Sequence, residues 1–126
     1  MHALIIAAML AGDPRAILVG TWDGESICTP VRPACHDEHA VYHITIPKKA
    51  GVVDMLMNKV VDGKEVEMGG AVEYIVNADA TSLTSEYTYN GSHLRWSFTR
   101  AGNEMRGTLV NVPDGAVIRN IHVAKK

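Results

Sequence analysis

The chain has no excess of positive charge. Its 12 Lys and Arg are outnumbered by 14 Asp and Glu, for a formal charge of −2. Without a basic field to draw it onto phosphates, nucleic acid is excluded as the expected partner. No run approaches the roughly eighteen apolar residues that a membrane-spanning helix needs, so no stable membrane span is expected. Cysteine is scarce, at 2 in 126 residues, and a chain of that length can bury a core without several disulfides. Repeats, low-complexity tracts and interdomain linkers are missing too. What remains is one folded domain: 47% hydrophobic and 21% charged residues are ordinary globular values and argue against disorder.

The first segment, MHALIIAAMLAGDPRA, carries an apolar run from Ala3 to Ala11 with the length of a signal-peptide central region. Its flanks fit less well, because only His2 precedes the run as a candidate positive charge and Ala11-Gly12 is a poor cleavage site. Residues 1–12 are therefore read either as a signal-like segment or as an element capping an open end of the core. Residues 13–126 are read as a single β-barrel domain.

Beyond residue 45 the chain is punctuated by turn signals: Asp62-Gly63, Gly69-Gly70, Asn90-Gly91, Gly102-Asn103 and Asp114-Gly115. Asn-Gly and Asp-Gly supply the positive φ values of two-residue hairpin turns. Between them lie stretches of period-two alternation. Leu94, Trp96 and Phe98 point one way while His93, Arg95, Ser97 and Thr99 point the other. The expected strands are Ile17–Cys28, His39–Ile46, Val52–Val61, Glu65–Met68, Ala71–Asn77, Ser82–Tyr89, His93–Arg100, Glu104–Val112 and Ala116–Ala124. Gly51–Met57 also admits a helical reading, but its β-branched residues favour a strand. The fold class expected is all-β: an antiparallel up-and-down meander of about eight or nine strands. Closing into a small barrel removes its exposed edges.

Chemistry-bearing side chains concentrate in ICTPVRPACHDEHAVYHI, residues 27–44, which holds both cysteines and three of the six histidines. As a zinc site, C-x6-C-H-x2-H-x3-H departs from the usual short ligand pairs. On a strand, His39 and His43 share a face but stand about 13 Å apart along it, too far for one ion. His36 and His39 converge only if the segment is irregular. A metal-dependent enzyme at His36, His39 and His43 is thus a minor alternative. If the protein is exported, Cys28 and Cys35 are expected to form a disulfide around a loop already bent by two prolines. In the cytosol they would be two reduced thiols. No nucleophile motif accompanies His36-Asp37-Glu38-His39, which also reads as a solvated polar loop.

Gly20-Thr21-Trp22 resembles the G-x-W signature that opens the first strand of lipocalin-like barrels, and Arg119 lies on the final strand where that family often carries an arginine. The resemblance implies that Trp22 plugs the barrel's closed end and that Arg119 covers its ring by a cation–π contact. A buried tryptophan with an unrelated surface arginine is the alternative. Most of the chain resembles small uncharacterised bacterial exported proteins. The shared pieces are Gly20-Thr21-Trp22-Asp23-Gly24, Cys35-His36-Asp37-Glu38, Val61 to Gly69, and Gly107-Thr108-Leu109 with Pro113-Asp114-Gly115. That likeness implies a secreted or periplasmic β-barrel and carries no biochemical activity.

The expected function is that of a noncatalytic exported barrel binding a small apolar or amphipathic ligand, with no cofactor. Met55, Met57, Met68, Tyr74, Trp96 and Phe98 are the candidate cavity residues, unless they simply fill the barrel. The alternative is a periplasmic interaction or inhibitor module that meets a protein partner through the Cys28–Cys35 loop.

Overall fold

A computed structural model describes residues 12–126. Apart from Gly12, the segment read as signal-like or capping lies outside the described residues. Nine strands follow in sequence: β1 Gly20–Cys28, β2 Glu38–Thr45, β3 Val52–Val61, β4 Lys64–Val66, β5 Val72–Val76, β6 Ser82–Tyr89, β7 Ser92–Ala101, β8 Glu104–Asn111 and β9 Val117–Lys125. All neighbouring pairs are antiparallel. Eight strands close a barrel in the order β1-β2-β3-β5-β6-β7-β8-β9, with β9 pairing back onto β1. The extra strand, β4, folds back on the upper part of β3, on the edge that β5 uses lower down.

The turns follow from residue type. Asp62 and Gly63 have φ of 51° and 77°, and Asn90 and Gly91 have 48° and 78°. Two successive left-handed residues match the twist of the strands they join. The segment with an alternative helical reading is strand β3. The first expected strand is shortened, because Pro14–Leu18 forms a single 3₁₀ turn. Asp13 caps it by accepting a 3.0 Å hydrogen bond from the Arg15 amide, and Pro14 enters with its φ already fixed.

That turn closes one end of the barrel. Leu18 and Trp22 are fully buried, and below the middle of the barrel they pack with Val53, Tyr74, Phe98 and Met105. Phe98 meets Tyr74 and Tyr42 edge-on, with centroids 5.8 and 6.1 Å apart. The cation over the Trp22 ring is Lys125, at 5.9 Å, whose ammonium also donates a 2.8 Å hydrogen bond to the Ile17 carbonyl. Arg119 does not take that place. The β1–β9 register sets Lys125 opposite Trp22 and Arg119 opposite Cys28, about 20 Å further along the strand.

The other end is open. β5 pairs with β6 only through Ile75–Thr84 and Val76–Leu83. Above those two rungs the strands part, and the double glycine Gly69-Gly70 carries the chain from β4 into β5 beside the gap.

Candidate functional site

Inward-facing side chains above the packed end surround a cavity of about 550 Å³, within the range of small-molecule sites. Tyr42 and Met57, neighbours across β2 and β3, form one wall. Trp96 and Leu109, neighbours across β7 and β8, form the wall facing it. Val72 and Tyr87 flank the parted β5–β6 seam, and Met68, Gly70 and Ala71 make the rim there. Opposite the seam, where β9, β1 and β2 adjoin, stand the two charged lining residues, Arg119 and Glu38.

Arg119 is held mainly by neutral acceptors. Its Nη1 donates to Ser26 Oγ at 3.1 Å and Ser26 O at 3.4 Å, and its Nη2 donates to the His36 carbonyl at 3.0 Å. The Glu38 carboxylate lies 3.5 Å from Arg119 Nη2 and 3.9 Å from Lys59 Nζ. Burial pushes the Tyr42 phenol well above its usual range, with Glu38 adding to the effect and Arg119 and Ser26 opposing it. Tyr42 is therefore a neutral hydroxyl at any physiological pH. Tyr87 is also raised by burial, against the pull of Trp96, Arg32 and Arg119. Tyr74, more deeply buried, donates to the Met57 sulfur at 3.0 Å.

The polar wall is braced by the Cys28–Cys35 disulfide, whose Cα atoms are 5.9 Å apart. Asp37 accepts a 2.8 Å hydrogen bond from the Cys28 amide, and Thr29 Oγ1 donates to the Val117 carbonyl at 2.6 Å. The loop is thereby fixed to both β1 and β9. It delivers the His36 carbonyl to Arg119.

Of the six cavity residues expected from sequence, Met57, Met68 and Trp96 line the cavity. Met55, Tyr74 and Phe98 belong to the packed end instead. They share the inward face but lie lower in the barrel. Tyr42, Val72, Tyr87, Leu109, Glu38 and Arg119 complete the site without having been singled out for it. The period-two pattern marks most of them as inward, so the available signal was their position near the open ends of their strands.

The histidines diverge. His36 contributes its backbone carbonyl to Arg119. His39 Nε2 meets Asp23 at 3.0 Å, and His43 meets Glu65 on the outer wall. Among the described residues, no three His, Cys, Asp or Glu side chains converge in a metal-binding group. Thr21 Oγ1 lies 3.1 Å from His43 Nδ1, so hydroxyl, imidazole and carboxylate do line up as Thr21–His43–Glu65. This alignment crosses the outside of a sheet whose strands are paired on both sides from Trp22 onward. Asn58 Nδ2 donates to Glu65 at 2.8 Å, completing a tie between β4 and the barrel wall.

No protein-family model matches this chain, and no curated protein matches it.

Proposed function

We propose that this chain is a noncatalytic, exported, lipocalin-like β-barrel that takes a small apolar or amphipathic molecule into its open mouth. The observation that carries this reading is the cavity of about 550 Å³ above a solidly packed lower half. A barrel that served only as a spacer would gain stability by filling that space. Its lining combines a methionine and aromatic surface, which adapts to varied apolar shapes, with one polar wall that can orient a ligand. Export to the periplasm or beyond is supported by the disulfide, which persists in oxidising compartments. It also agrees with the resemblance to bacterial exported proteins. The net charge of −2 supports a partner other than nucleic acid.

The test is a titration with the neutral apolar fluorophore N-phenyl-1-naphthylamine. The expected result is enhanced emission at one equivalent, abolished by Val72→Trp, which fills the cavity from the seam. Unsaturable binding, or binding indifferent to that substitution, would contradict the reading.

A second reading, an interaction module, rests on Val31. This residue is 52% exposed at the tip of the stapled loop, where a rigid apolar contact loses little entropy on docking. It predicts a protein partner whose binding depends on Val31 and is indifferent to Val72→Trp.

A further inference from the structure

The polar wall is unbalanced. Glu38 is the one carboxylate among the described cavity-lining residues, and a single oxygen of it, Oε2, faces both Arg119 and Lys59. Neither contact is close. Nitrogen–oxygen separations of 3.5 and 3.9 Å exceed the roughly 2.7–2.9 Å of a full charge-assisted hydrogen bond. Two cations thus share one distant anion, leaving the wall with a surplus positive charge. Arg119 is meanwhile only 13% exposed and is fixed in direction by Ser26 and the His36 carbonyl. A guanidinium held this way loses little freedom when it accepts a partner. The remaining walls are uncharged and mostly apolar, and the parted β5–β6 seam lies opposite.

Taking the cavity to be a binding site, as proposed above, we infer that its ligands are amphiphiles with a single anionic head. The head, a carboxylate or its equivalent, seats against Arg119, with Lys59 beyond the cavity lining drawing on the same Glu38 oxygen, and the apolar body lies along Met57, Trp96 and Leu109. Glu38 acts as an internal competitor. It offsets part of the positive charge when the site is empty and sets how strongly an incoming anion is selected. Arg32, on the stapled loop, adds to the positive field felt at Tyr87 beside the seam.

The test uses the full chain with its disulfide intact and three probes with the same twelve-carbon tail: dodecanoate, dodecanol and dodecyltrimethylammonium. Affinities are measured by calorimetry below the micellar concentration. Dodecanoate is expected to bind at least about tenfold more tightly than dodecanol, the scale of one hydrogen bond to a charged group. Dodecyltrimethylammonium is expected to bind most weakly. Arg119→Gln should bring the dodecanoate-to-dodecanol affinity ratio close to one. Glu38→Gln should raise that ratio several-fold, a gain that a folding defect cannot produce. If dodecanol binds as well as dodecanoate, or Glu38→Gln leaves the ratio unchanged, anion selection is overturned while the cavity reading stands. If none of the three binds, the cavity reading falls and this inference falls with it.

Discussion

The indole Nε1 of Trp22 donates a 2.8 Å hydrogen bond to the carbonyl of Leu18, four residues earlier in the chain. This bond ties the 3₁₀ turn to the first strand and makes the closed end one packed unit. Trp22→Phe would leave the Leu18 carbonyl unpaired in a buried site as well as opening a small void. The expected loss is about 2–3 kcal/mol, read as a lower midpoint in urea unfolding. Trp22→Ala is expected to cost more, about 3–5 kcal/mol.

Gly24 lets β9 approach β1. A Cβ at that position would collide with the His122 carbonyl oxygen and stand 2.8 Å from the Val123 Cα. Both obstacles are backbone, so no side-chain rotation can relieve the overlap. Gly24→Ala is therefore expected to destabilise by about 3 kcal/mol or more. Substituting Gly70, where an added Cβ meets nothing within 4 Å, should leave the unfolding midpoint nearly unchanged.

The Cys28–Cys35 bridge closes a short loop, so its contribution through the unfolded state is modest, about 2–3 kcal/mol. The double variant Cys28→Ser with Cys35→Ser is expected to lose that amount in denaturant unfolding. Because the bridged loop presents the His36 carbonyl to Arg119, the same variant should also bind amphiphiles more weakly. A loss of stability with unchanged binding would detach the loop from the site.

Acid should loosen the tie between β4 and the barrel wall. The amide of Asn58 and then His43 hold the Glu65 carboxyl below its ordinary value of 4.5. A depressed folded-state pKa contributes stability that is present above the unfolded value and is lost as pH falls through the folded one. Asp13, Asp79 and Asp114, held below 3.8 by their own hydrogen bonds, act in the same direction. Unfolding midpoints should therefore fall as pH is lowered from about 5 towards 3. The fall should be shallower in Glu65→Gln, and equal slopes would remove Glu65 from the account.

Much of the barrel is legible in the sequence because hairpin turns and strand faces are local properties. Asp62-Gly63 and Asn90-Gly91 announce their φ values, and the alternation of Leu94, Trp96 and Phe98 announces an inward face. Height along the barrel axis is not local. It depends on register with strands far away in the chain, which is why Phe98 and Trp96, two residues apart on one face, divide between the packed end and the cavity. Lys125 and Arg119 illustrate the same point. Either could cover a buried indole, and only the pairing of β9 with β1 decides that Lys125 meets Trp22 while Arg119 meets the mouth. The first strand begins later than its sequence pattern suggests for a different reason. The capping pair Asp13-Pro14 outweighed the β-branched Ile17 and Val19.

The central claim, an open mouth above a solid base, is tested most directly by the two indole N–H signals of this chain, one from each tryptophan. Trp96 lines the cavity and Trp22 lies in the packed end. In a proton–nitrogen correlation spectrum titrated with dodecanol, the Trp96 signal is predicted to move and saturate while the Trp22 signal stays in place. A saturable shift of Trp22 with Trp96 unmoved, or no shift of either in a solution saturated with dodecanol, would contradict an open mouth above a solid base.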